Sequence, residues 1–160
     1  MKDIKQIIKK ELNEDEFISL RTFRNRLCDK QKGDALFLYN KILNDSNSNW
    51  FLLKTNKYKN VNISYDNLKS YIIWYGGNWI NGIWIDGDWY NGTWYNGIWN
   101  NGYWMGGIWN YGEWKYGEWH DGYWLGGKWN EGEIWDKNLR KYFKTTLNPA
   151  EYYKDNNIKQ

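Results

Sequence analysis

A mainly β chain wound as a solenoid is the fold this sequence predicts. Tryptophan recurs every five residues from Trp74 to Trp129, and from Trp79 onward a glycine stands two positions before it. That beat suits neither regular element. An α-helix turns every 3.6 residues, so a residue every five drifts round the cylinder, and interior glycines cost about 1 kcal/mol each. A straight strand alternates faces with period two, so an odd repeat throws successive tryptophans to opposite sides. The chain must therefore bend about once per unit, and fixed self-similarity over many units marks a repeat array.

Residues 1–71 read as an N-terminal helical and β cap that also serves as a docking segment. Ile4, Ile7 and Ile8 make a short apolar face. Asn13 with Glu16 resembles a capping box opening a helix that carries Phe17, Leu20, Phe23 and Leu27 on one side. Gly33 stops that helix, and Asp34 caps a second one through Leu36, Phe37, Ile42 and Leu43. Two helices about a glycine turn have the outline of a DNA-binding helix-turn-helix, but a small helical cap is the plainer reading. After the NDSNSN loop, Trp50–Thr55 and Val61–Tyr65 read as short strands. At the other end, residues 136–160 hold LNPAEYY, in which Asn148, Pro149 and Glu151 make a strong helix start. That short helix is expected to cover the last repeat.

Residues 72–135 are the array. Its tryptophans are Trp74, Trp79, Trp84, Trp89, Trp94, Trp99, Trp104, Trp109, Trp114, Trp119, Trp124 and Trp129, after which Ile134 reads as an insertion that shifts the beat to Trp135. If the chain bends the same way at every unit, four units close a square coil of twenty residues, and the array makes about three coils. Ile85, Met105 and Leu125 recur at the twenty-residue spacing this requires. The indoles are expected inside. Each buries roughly 150–250 Å², and a dozen on the surface would far exceed the apolar patch of an ordinary monomer. The glycine two positions earlier would then make room for an indole in a narrow coil.

Units such as NGTWY at 91–95 and NGYWM at 101–105 resemble the pentapeptide-repeat family. That resemblance implies a right-handed quadrilateral β-solenoid with an inward small residue two before a large inward one. Gly and Trp match those slots, whereas the slot between them, with Ile83, Asp88, Thr93 and Tyr103, does not. Asn and Asp instead precede the glycine, as at Asn81, Asp86, Asn91 and Asn96, where a turn favours them. The units are also similar to Trp/Gly arrays in phage virion-associated proteins. YGEWKYGEWHDG resembles MORN repeats as well, but the sustained five-residue period argues against that hairpin sheet.

Charge divides along the chain: residues 1–71 hold 14 Lys/Arg against 9 Asp/Glu, residues 72–135 hold 2 against 7, and residues 136–160 hold 6 against 3. None of these is dense enough to demonstrate a nucleic-acid or membrane partner. No apolar run reaches transmembrane length, no signal peptide opens the chain, and a lone Cys28 suits a reducing cytoplasm. With His120 the single histidine, neither a zinc site nor a catalytic pair is indicated, and no glycine-rich loop matches a phosphate-binding motif.

The expectation is a non-enzymatic structural or interaction protein without a cofactor, docking to a protein partner or to further copies of itself. It would reside in the cytoplasm of the producing cell or be assembled into a virion. Ile80, Ile85, Tyr90, Tyr95, Met105 and Leu125 are the candidate docking face. The family resemblance implies one alternative, a DNA mimic that inhibits a topoisomerase. Exposed aromatics binding a glycan are another.

Overall fold

The five-residue unit folds as a short strand that ends on its tryptophan and a corner that carries the glycine. The computed structural model describes residues 16–160, so Ile4, Ile7, Ile8 and Asn13 lie outside the described residues. Two long strands, β1 (Lys57–Asp66) and β2 (Tyr71–Asn81), pair antiparallel and open the array. Ten short strands follow: β3 (Ile83–Trp84), β4 (Gly87–Trp89), β5 (Thr93–Trp94), β6 (Ile98–Trp99), β7 (Tyr103–Trp104), β8 (Ile108–Trp109), β9 (Glu113–Trp114), β10 (Glu118–Trp119), β11 (Tyr123–Trp124) and β12 (Lys128–Trp129). A hairpin, β13 (Gly132–Asp136) with β14 (Lys141–Thr145), closes it.

The solenoid has three sides, not four. Trp74 pairs in parallel register with Trp89, Trp79 with Trp94 and Trp84 with Trp99, so a coil takes fifteen residues and the array makes about four turns. Within the first coil the ring centroids of Trp74, Trp79 and Trp84 lie 5.9–6.2 Å apart, edge to face, and form a closed triangle. Three indoles already fill the axis. A fourth side would open a void at the centre, which close-packed interiors do not tolerate.

Along the axis each indole stacks nearly parallel on the one fifteen residues later, at 4.5–5.2 Å. That distance is close to the spacing of hydrogen-bonded strands, so ring stacking and the backbone ladder share one pitch. The ladder is regular. Tyr95 donates its N–H to the Trp79 carbonyl at 2.8 Å, and Ile98 donates to the Gly82 carbonyl at 2.8 Å.

The corner glycines are needed for close approach as well as for backbone conformation. Gly97 has φ +122°, and a β-carbon there would stand 2.2 Å from the Gly82 carbonyl oxygen of the coil above. Gly112 repeats this against Gly97 at 2.3 Å. An L side chain at such a position is strained in φ and collides with the backbone of the neighbouring coil. The first contact is therefore with that carbonyl rather than with an indole.

The twenty-residue ladder does not form. Ile85, Met105 and Leu125 follow Trp84, Trp104 and Trp124, which belong to three different sides, so they do not stack. Nor is Ile134 an insertion. It pairs with Trp119 and takes the inward slot, while Gly132 keeps its place two residues before it.

The N-terminal cap seals the top of the prism. Phe51 sits over the axis, with its ring 6.3, 6.4 and 6.5 Å from those of Trp74, Trp79 and Trp84. Tyr58 stacks on Trp79 at 5.7 Å, and Trp50 meets Trp84 edge-on at 5.3 Å. Trp50, Phe51 and Leu52 are consecutive and all buried, which strand alternation would forbid; Asn49–Leu52 is accordingly a 3-10 turn rather than the expected strand. Buried Asn56 stands in for a missing coil. Its Oδ1 accepts from Ile83 N–H at 2.7 Å, and its Nδ2 donates to the Trp50 carbonyl at 2.8 Å.

Two short helices back this layer. The first, α1 (Leu20–Arg26), is capped by Ser19, whose hydroxyl accepts from Thr22 N–H. Phe17 and Leu27 lie outside it, in isolated bridges to Leu53 and Val61. Asp34 precedes α2 (Ala35–Leu43) but its side chain makes no capping hydrogen bond, and Gly33 does not stop α1, which ends at Arg26, but lies inside a 3-10 stretch, Asp29–Asp34. The buried face of α2 is Ala35, Leu38 and Ile42, while Leu36 and Phe37 are exposed.

At the far end Ile134 lies under Trp119, and α3 (Pro149–Asp155) starts at Asn148 with the expected capping box to Glu151. Tyr153 of α3 accepts the Trp119 indole N–H at 2.9 Å. Tyr152 donates to buried Asp136 at 2.9 Å. The opening and closing hairpins use the same turn: Asp66 and Asp136 each accept two backbone N–H groups at 2.9 Å, and Ser70 and Arg140, four residues on, both have φ 54°.

Candidate docking surface

With the indoles turned inward, the residues just before and just after each tryptophan lie on the outside of the coil, all partly or fully exposed except Ile85, and fifteen-residue register sorts them into three faces. The first face, over Trp74, Trp89, Trp104 and Trp119, carries Asp88, Tyr103, Glu118 and Glu133 in one column. Its second column holds Tyr75, Tyr90, Met105, His120 and Trp135. Tyr75 stacks on Tyr90 at 5.6 Å and His120 on Trp135 at 5.2 Å. The edges of this face are covered by β1 and β14.

Acidic side chains gather here. Asp86, Asp88, Glu118 and Glu133, with Tyr103 and Tyr116, line a shallow groove of about 370 Å³. Burial pushes the Asp88 carboxyl above the usual carboxylate range despite the Tyr71 hydroxyl that donates to it at 2.9 Å. Burial, with Glu133 nearby, does the same to Glu118. His120 is shifted the other way, because partial burial disfavours its charged form. Its Nδ1 lies 3.0 Å from the Tyr142 hydroxyl, which in turn donates to Tyr103 at 3.1 Å.

The third face, over Trp84, Trp99, Trp114 and Trp129, carries Ile83, Ile98, Glu113 and Lys128, then Ile85, Asn100, Lys115 and Asn130. It mixes both charges, and Asn130 donates to Glu113 at 2.8 Å.

The second face differs from both. Over Trp79, Trp94, Trp109 and Trp124 the outward positions are Asn78, Thr93, Ile108 and Tyr123, then Ile80, Tyr95, Asn110 and Leu125, with no charged residue among them. Tyr95, Ile108, Tyr123 and Leu125 are 46, 39, 51 and 64 % exposed, and Tyr111 at the adjoining corner is 63 % exposed.

The six residues expected to share a docking face are thus divided. Ile80, Tyr95 and Leu125 lie together on the second face. Tyr90 and Met105 lie on the first, and Ile85 is buried on the third. Ile108, Tyr111 and Tyr123 belong with the first three and were missed. They precede or follow the tryptophan at positions that line up only when the coil length is fifteen. All twelve array indoles are buried, so none offers a platform to a glycan. Among the described residues no three His, Cys, Asp or Glu side chains gather as a metal site, and no helix is long and apolar enough to cross a membrane.

Among the described residues seven buried indole N–H groups find no hydrogen-bond partner: those of Trp50, Trp74, Trp79, Trp84, Trp89, Trp99 and Trp114. Others reach the corner of the next coil, as Trp104 does to the Asp121 carbonyl at 3.1 Å and Trp94 to the Tyr111 carbonyl at 3.1 Å. Stacking and apolar burial, more than polar pairing, hold the axis together.

No protein-family model matches the chain, and neither a curated protein nor a solved structure matches it.

Proposed function

We propose that this protein is a non-enzymatic scaffold: a stiff rod, capped at both ends, that presents chemically distinct faces to a protein partner in a larger assembly. One observation supports this reading above the rest. The indole core is filled to the axis, and the three outer faces differ in character, one acidic, one mixed and one uncharged with exposed Tyr, Ile and Leu. Contiguous exposed apolar patches larger than a few hundred Å², rimmed by polar residues, mark interaction sites. The likeness of the NGxWx units to phage virion-associated arrays points to a virion as the assembly.

The test is incorporation. The chain is expected to copurify with the assembled particle at fixed stoichiometry. Ile108→Asp with Leu125→Asp should abolish incorporation while the near-ultraviolet circular dichroism of the indole stack stays unchanged. Full incorporation of that folded variant would overturn the reading.

A second reading, the DNA mimic implied by the family resemblance, is favoured by the Asp88, Glu118 and Glu133 column. Its charge is thin. Coils about 4.8 Å apart offer roughly one acid each on that face, against one charge per about 1.7 Å of duplex. Gyrase inhibition that weakens in Glu118→Lys with Glu133→Lys would promote this reading, and unaffected gyrase would remove it.

A further inference from the structure

The uncharged second face has a property that neither neighbour shares: it can meet a copy of itself without repulsion. Two first faces would oppose Asp88, Glu118 and Glu133 with the same acids. Two third faces would need Lys115, Lys128 and Glu113 to fall into one register. On the second face the outward positions are only Asn, Thr, Ile, Leu and Tyr.

We infer that this face associates with the same face of a second copy, as an isologous pair, and the inference rests on the docking reading above. Pitch supports it. Ridges of side chains repeat at the strand spacing of about 4.8 Å, and a second copy offers grooves of identical spacing, so the ridges interdigitate coil for coil as in sheet-on-sheet packing.

Area supports it too. Tyr95, Ile108, Tyr111, Tyr123 and Leu125 are between 39 and 64 % exposed. Given roughly 150–250 Å² for a whole aromatic side chain, these five leave on the order of 500 Å² accessible. The Asn and Thr side chains between them bring the face toward the ~800 Å² per partner of a standard interface. A face of that size gives a dimer that forms reversibly with concentration.

The experiment is sedimentation equilibrium on the full chain over a wide concentration range. The wild-type mass is expected to rise from 19.5 kDa toward twice that value. Ile108→Lys with Leu125→Lys, and separately Ile108→Glu with Leu125→Glu, should each weaken association about tenfold or more, because like charges then oppose in any register. Mixing the two variants should restore it, which damaged folding would not do. Asp88→Asn with Glu118→Gln on the first face should leave association unchanged. A wild type that stays monomeric throughout, or charged variants that associate as well as the wild type, would overturn the inference. The particle-incorporation result would then stand or fall separately.

Discussion

Ile134 lies directly under Trp119, paired with it in parallel register and fully buried, while Trp135 is turned outward against His120. The tryptophan one position past the beat is therefore partly exposed, and the aliphatic that keeps the beat is core. Ile134→Ala is expected to lower stability by about 2–5 kcal/mol, the range for truncating a buried aliphatic. Trp135→Ala removes more atoms yet should cost less. Urea denaturation of both variants compares them directly.

The corner glycines make a sharper contrast. Gly97→Ala would place a methyl 2.2 Å from the Gly82 carbonyl at φ +122°, whereas a methyl at Gly106 meets nothing nearer than 3.6 Å. Gly97→Ala is expected to cost several kcal/mol or prevent folding. Gly106→Ala should stay within about 1 kcal/mol of wild type. Equal melting temperatures for the two would contradict the coil-on-coil contact.

Neighbouring tryptophans should also respond unequally to phenylalanine. Trp104 donates its indole N–H to the Asp121 carbonyl, and the Trp99 indole N–H has no partner among the described residues. Both substitutions lose ring area. Trp104→Phe is expected to cost about 1 kcal/mol more than Trp99→Phe, the net worth of one hydrogen bond. Chemical denaturation resolves a difference of that size.

Asn56 is predicted to be the most sensitive polar residue of the upper cap. Asn56→Leu strands Ile83 N–H, at about 1–3 kcal/mol for an unsatisfied buried donor, and leaves the Trp50 carbonyl with Leu53 N–H alone. Hydrogen exchange should show the first coil opening before the others. Uniform protection loss along the array would count against a capping role.

Asp136 sets an acid limit. Burial pushes its carboxyl up, but hydrogen bonds from Leu139 N–H, the Tyr152 hydroxyl and Asn138 N–H outweigh that and hold it below the usual value of 3.8. A folded value below the unfolded one gives stability that is present above pH 3.8 and is lost as pH falls through the lower folded value. Asp136→Asn should flatten that part of the stability curve. The same acid-side slope in variant and wild type would assign it to other groups.

Much of this architecture was legible from the chain alone. A beat of five with a fixed glycine dictates one bend per unit, because neither helix nor straight strand can hold such a period. Burial of that many indoles then sends them inward, and Asn148, Pro149 and Glu151 announce their helix by local hydrogen bonding alone. Each of these follows from residues within a few positions of one another.

The number of sides was decided elsewhere. Ile85, Met105 and Leu125 suggested coils of twenty, yet Tyr75 with Tyr90 and Ile83 with Ile98 recur at fifteen, and either series looks plausible as text. What selects three sides is the fit of whole indole rings around an axis and the parallel pairing it brings about between residues fifteen apart. That choice also fixes which outward residues share a face, so Ile108 and Tyr123 join Tyr95 and Leu125 only once the coil has closed. A five-residue unit carries its own bend, but the count of bends per turn is a property of packing between distant units, which no single unit contains.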